Sequence, residues 1–102
     1  MLKTIALSLL ALVGTAAAAG DDGRCEKVAE LAEMIMNARQ EGVPMVAMMK
    51  NSSPGEGASD LSRMLIVAAY EKPGFSTKEN RRRAVVEFQN DVYLQCVKEM
   101  AR

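Results

Sequence analysis

The sequence contains no histidine and no tryptophan, and its aromatic side chains are limited to two tyrosines and two phenylalanines. Without histidine, the commonest general base and the commonest metal ligand of proteins are missing. The few scattered aromatic residues do not form a platform on which nucleic-acid bases stack. Thirteen basic and thirteen acidic residues balance each other, so no basic surface is expected. The composition therefore predicts a protein that is not an enzyme, has no cofactor and binds no nucleic acid.

Cysteine is also scarce, with Cys25 and Cys96 as the only two residues of this type. Their spacing is not that of a C-x-x-C redox motif, so we expect no thiol-oxidoreductase activity. In an oxidising compartment the two residues most economically pair with each other. A bridge over about seventy residues would add roughly 4 kcal/mol in the loop-entropy model. We therefore predict a structural disulfide, with two free or intermolecularly paired thiols as the alternative.

The N-terminal residues follow the pattern of a secretory signal peptide. Lys3 precedes an apolar run over residues 5–13, and small residues follow up to Ala19. The run is about half as long as the roughly twenty residues of a spanning helix. We expect cleavage after Ala19, which removes one of the thirteen basic residues and no acidic one. Residues 20–102 would then be a single periplasmic or secreted domain without a stable membrane anchor, and an uncleaved anchor is the alternative.

Turn and capping signals divide this domain into helices. Gly42 is suited to end the first helix and Pro44 to start the second. Ser59 or Asp60 can cap the third helix, and Ser76 with Glu79 forms a capping box for the last. The apolar segment from Met64 to Tyr70 is interpreted as a helix, because the chain has no second strand-like run with which it could pair. The predicted helices cover residues 25–41, 44–51, 60–71 and 77–100.

The cysteines also predict how the first and last helices are arranged. Cys25 begins the first helix and Cys96 lies in the penultimate turn of the last, each on an apolar face. A disulfide requires Cα atoms about 5–6 Å apart, which antiparallel packing of these helices allows. The prediction is an all-α, four-helix domain. The first helix has a polar arc that we expect to face solvent, formed by Glu26, Glu30, Glu33, Asn37, Gln40 and Glu41.

Three groups of residues are candidates for a functional surface. Methionines fill cores and adaptable binding grooves, and their thioethers also suit Cu(I), for which Met45 and Met48 are one turn apart. The segment from Met64 to Tyr70 is apolar all round, so it is either buried in the core on every side or leaves part of its surface for a partner. A basic run, Arg81 to Arg83, opens the last helix. There it opposes the helix dipole and could meet an acidic partner. The predicted partner-binding residues are Met45, Met48, Met49, Met64, Ile66, Val67, Arg81 and Arg82.

Three segments carry a resemblance to other proteins: residues 38–45 (ARQEGVPM), 69–77 (AYEKPGFST) and 91–96 (DVYLQC). In these the chain resembles small exported helical proteins of Proteobacteria and their phages, a group with no assigned activity, so the resemblance implies no site. A looser similarity is to the acid-stress periplasmic chaperones, which are also small, helical and held by one disulfide. The expectation is a non-enzymatic interaction protein (a chaperone, inhibitor or envelope modulator) that binds another protein or a second copy. A Met-rich protein that binds Cu(I) or a small ligand is the alternative.

Overall fold

The computed structural model describes residues 23–52 and 57–101, without the side chains of 57–59. Within these ranges the chain forms four helices and no strand, which confirms the predicted all-α fold class. The described part of α1 covers residues 23–40, α2 is Met45–Lys50, α3 is Gly57–Tyr70 and α4 is Lys78–Met100. None of the helices in these ranges is both long and apolar enough to cross a membrane. The predicted signal peptide, residues 1–19, lies outside the described residues.

The two long helices, α1 and α4, pack against each other and are joined at one end by the predicted disulfide. Cys25 and Cys96 are bonded, with their Cα atoms 5.6 Å apart across 71 residues of chain. At the other end of the pair, the side chain of Gln40 on α1 bonds to the backbone of Phe75 just before α4. Contacts at both ends require the helices to run antiparallel, as predicted.

The core is built from three of the helices, each of which contributes residues spaced three or four apart. Such spacing places them on one side of a helix. Met36 and Ile66 are the largest of the almost completely buried apolar side chains, and α2 contributes only the partly buried Met48 and Met49. The buried cluster consists of Ala32, Ile35 and Met36 from α1, Leu65, Ile66 and Ala69 from α3, and Val85 and Phe88 from α4.

Helices α2 and α3 form an antiparallel pair that is fixed by side-chain hydrogen bonds at both ends. Arg63 Nη1 donates to the carbonyl oxygens of Met49 and Ser52, at 3.4 and 3.2 Å. At the C-terminal end of α3, the Tyr70 hydroxyl donates to the carbonyl of Val43. Arg63 and Tyr70 are seven residues apart, two helical turns, so both lie on the side of α3 that faces α2.

The helix ends follow the sequence signals in part. Gly42 has a φ of +89° and ends α1 as predicted, with its own N–H bonded to Arg39 O and the N–H of Val43 bonded to Ala38 O. These two bonds satisfy carbonyls that the helix end leaves without a partner. The predicted capping box at Ser76 is wrong, because Thr77 is the N-cap of α4 and its hydroxyl accepts from the N–H of Asn80 at 3.2 Å. Thr77 has the extended backbone of an N-cap residue, with φ −96° and ψ 147°, so its hydroxyl rather than that of Ser76 caps the helix.

Candidate functional site

A stripe of exposed side chains runs along the outer side of α3. Asp60, Met64, Val67 and Glu71, here called the outer α3 stripe, are all exposed. Their spacing of four, three and four residues is the spacing of a helix seam that packs against another helix. The two central residues are apolar, and Met64 is 69% exposed while Val67 is 43% exposed. The stripe therefore has an apolar centre and an acidic residue at each end.

Helix α2 carries a further exposed apolar residue, Val46. The carbonyl of Val43 accepts a hydrogen bond from Tyr70, and the carbonyl of Met49 accepts one from Arg63. These bonds set the axial register of the two antiparallel helices. Val46, midway between Val43 and Met49, is therefore at the level of Val67. It is 64% exposed, although α2 packs on α3. Val46 is thus a further exposed apolar residue, on α2, in addition to Met64 and Val67 on α3.

The other apolar candidates point inward or are partly covered. Ile66 is 2% exposed and belongs to the core, so it is placed away from the outer α3 stripe. Met48 and Met49 pack against the core cluster. Met45 is 37% exposed at the start of α2. The predicted set is therefore divided by the fold, with Met64 and Val67 brought together on the surface and Ile66, Met48 and Met49 on the inside.

The methionines of α2 bear on the Cu(I) alternative. Met48 is packed against the core cluster while Met45 is exposed to solvent, so the fold uses Met48 as a core filler. Among the residues that the structure describes, no group of three or more histidine, cysteine, aspartate or glutamate side chains is placed to hold a metal ion. No observation in this part of the chain favours the metal-binding alternative.

The basic run of α4 is divided among different surroundings. Arg81 Nε donates to the carbonyl oxygen of Phe75 at 2.7 Å, which ties the start of α4 to the preceding loop. Arg83 lies 3.5 Å from the carboxylate of Glu79 in an exposed pair, which contributes only a few tenths of a kcal/mol. Arg82 is exposed and borders an open depression of about 700 Å³, which is also lined by Lys78, Glu79, Arg83 and Val86. Arg81 is therefore used in local structure, while Arg82, Arg83 and Lys78 border the same depression together with Glu79.

Gln40 is the main polar residue for which the predicted solvent exposure is wrong. It was expected on the solvent-facing arc of α1, but it is 6% exposed. Its Nε2 donates to the carbonyl oxygen of Pro73 at 2.9 Å, and its Oε1 accepts the N–H of Phe75 at 2.9 Å. One amide therefore satisfies both a carbonyl and an N–H of the loop between α3 and α4.

Arg39 extends this contact to the loop and to α3. Its Nε and Nη2 donate to the carbonyl oxygen of Lys72 at 3.1 and 2.9 Å, and its guanidinium lies 5.2 Å from the centre of the Tyr70 ring. Burial raises the pKa of the Tyr70 hydroxyl, and the nearby Arg39 cation opposes this rise. Arg39 and Gln40, here called the α1 clamp, hold residues 72–75 in place.

The α1 clamp was missed because its residues are polar and lie at the end of a helix, where solvent exposure is the usual expectation. A signal was nevertheless present in the segments that carry the resemblance. Residues 38–45 contain the clamp, and residues 69–77 contain the loop that it holds. The two segments are thus partners in space.

Comparisons with family models, with curated proteins and with solved structures give no match for this chain. Function is therefore inferred from the residues and their placement. The described surface offers the exposed apolar centre of the outer α3 stripe and the fixed loop at residues 72–75. Both features are suited to contact with another molecule.

Proposed function

We propose that this protein is a non-enzymatic binding protein, periplasmic or secreted, whose outer α3 stripe packs against a helix of another protein. A chaperone, an inhibitor or a modulator of envelope proteins would fit this role. The exposure of Met64 and Val67 next to each other on one helix carries the proposal. Isolated apolar residues are common on surfaces, but Met64 and Val67 lie at seam spacing on one helix.

The disulfide supports the proposed compartment. A bond between Cys25 and Cys96 is compatible with a protein outside the cytoplasm, where thiols are not kept reduced. The signal-peptide pattern of residues 1–19 supports the same location. A bridge that joins α1 to α4 also makes the domain rigid, which lowers the entropic cost of binding.

The charges of the stripe indicate the chemistry of the partner. Asp60 and Glu71 lie at its two ends, so a partner helix with apolar residues flanked by lysine or arginine would be complementary. Two α3 helices packed antiparallel along this stripe would place Asp60 of one copy near Glu71 of the other. Parallel packing would place identical acids together. Both arrangements bring like charges into contact, which favours a different protein over a second copy.

The test compares three forms of the oxidised protein as baits in an envelope extract of the source organism. Changing Met64 and Val67 together to lysine should reduce recovery of the partner by tenfold or more, because it places two charges in an apolar contact. Leu94, which is 56% exposed on α4, provides the matched control as Leu94→Lys. All three residues are on the surface, so thermal unfolding should be nearly unchanged.

The proposal requires a protein that the wild type and Leu94→Lys retain and that the double variant loses. It fails if the double variant retains the same proteins as the wild type. It also fails in its choice of partner if the wild type sediments as a dimer and the double variant as a monomer, because the stripe would then join two copies.

A further inference from the structure

The loop between α3 and α4 is exposed and yet fixed on several sides. All of residues 71–77 are exposed, but the backbone of residues 72, 73 and 75 is bonded by side chains from α1 and α4. Arg39 binds the carbonyl of Lys72, and Gln40 binds the carbonyl of Pro73 and the N–H of Phe75. Arg81 binds the carbonyl of Phe75 from the other side. A surface loop held in this way has a defined shape before any partner arrives.

This loop forms one wall of a small cleft against α4. The cleft has a volume of about 130 Å³, and its floor is made by Met36 and Phe88, which are 0% and 4% exposed. Pro73 and Phe75 stand on the loop side, and Phe75 remains 39% exposed. A second cleft of about 160 Å³ also borders Phe75, shares Ala84 and Glu87 with the first, and is lined in addition by Asn80 and Arg83. The volume is that of a single side chain rather than of a cofactor.

The rim of the cleft carries two carboxylates and one amine. Glu87 and Asp91 are one turn apart on α4, so both lie on the same side of the helix and border the cleft. Lys72 also borders it, so the residues that line this cleft carry one negative charge in excess, and Arg83 lies beside Glu87 only in the second cleft. An apolar floor below an acidic rim matches a side chain with an apolar stem and a cationic end. The exposed ring of Phe75 adds a face on which a guanidinium can stack.

We propose that the cleft between residues 72–75 and α4 binds an arginine side chain of a partner protein. The stem lies over Met36 and Phe88, and the guanidinium meets the carboxylates of Glu87 and Asp91. Arginine is favoured over lysine because its planar fork can bond two carboxylates and stack on an aromatic ring. The site is built by α1, α4 and the loop, so it does not depend on the outer α3 stripe.

The experiment is a titration of the oxidised, nitrogen-15-labelled protein with N-acetyl-argininamide, followed by amide chemical shifts. We expect saturable shifts centred on Phe75, Glu87 and Asp91, with weak affinity because one side chain binds alone. The matched ligand is N-acetyl-citrullinamide, which has nearly the same shape and no charge. It should bind at least about threefold more weakly, as expected for the loss of a partly exposed ion pair.

Three variants test the roles of the rim. Changing Glu87 and Asp91 together to their amides should weaken arginine binding about threefold or more, while Lys72→Met should strengthen it by removing a competing cation. Glu33→Gln is the control, since Glu33 is an exposed carboxylate on α1 outside the cleft. Equal binding of the citrulline ligand, unchanged affinity of the double amide variant, or shifts that do not saturate would each overturn the proposal.

Discussion

Replacing both Cys25 and Cys96 by alanine should lower the free energy of unfolding by about 4 kcal/mol. The bond closes a loop of 71 residues, and the chain-entropy model gives this value for a loop of that length. Domains of this size have total stabilities of about 5–15 kcal/mol, so the loss is a large fraction. It should lower the melting temperature by roughly 20 °C. Urea unfolding followed by circular dichroism measures the difference directly.

Reduction of the wild type separates the covalent bond from the packing of the cysteine side chains. Cys25 is 1% exposed, so its replacement also removes buried atoms. The reduced wild type keeps both sulfur atoms and should therefore lose most, but not all, of the same free energy. A reductant should leave the double alanine variant unchanged. A reduced wild type that is within 1 kcal/mol of the oxidised form would contradict the structural role of the bridge.

Replacing Gln40 by methionine should lower the free energy of unfolding by about 2 kcal/mol. Methionine fills a similar volume, but it leaves the carbonyl of Pro73 and the N–H of Phe75 without their partner. Each of these part-buried hydrogen bonds contributes about 0.5–1.5 kcal/mol, so the loss of both accounts for about 2 kcal/mol. The amide hydrogen of Phe75 should also exchange faster with solvent. Asn37→Met is the control, because Asn37 is exposed one turn earlier on α1 and should change stability by less than about 0.5 kcal/mol.

Gln40→Glu distinguishes the two hydrogen bonds of this side chain. The glutamate keeps an acceptor for the N–H of Phe75, but its second oxygen faces the carbonyl of Pro73 and cannot donate when ionised. Folding therefore favours the protonated form and raises the pKa of the new carboxyl above its unfolded value, about 4.3. The stability of the variant relative to the wild type should be highest below that value and should fall as the pH rises through the folded pKa. A difference from the wild type that is the same at pH 4 and pH 7 would contradict the proposed geometry.

The sequence predicted the parts of the fold that depend on regular patterns. Gly42 marks a helix end because its backbone adopts a positive φ there. The cysteines predict the antiparallel arrangement, since a disulfide imposes a short distance between two positions that are far apart in the chain. These signals depend on single residues or on covalent geometry, and tertiary packing does not change them.

The outer α3 stripe and the α1 clamp could be predicted only in part. The segment Met64–Tyr70 is apolar on all sides, so its periodicity does not indicate that Ile66 faces the core and Met64 the solvent. Gln40 lies in a polar arc whose other members are exposed, and its burial results from a loop 33 residues away in the chain. Both outcomes depend on which elements meet in space, which local patterns do not encode.

Photo-crosslinking from position 64 in living cells of the source organism tests the proposed binding role most directly. A diazirine-bearing methionine analogue placed at Met64 should form a covalent adduct with another protein. The same photoreactive group at Leu94, which has similar exposure, should give little or none of that adduct. The crosslinked peptide of the partner should carry apolar residues flanked by lysine or arginine. Equal adducts from both positions, or an adduct only with a second copy of this chain, would contradict the account.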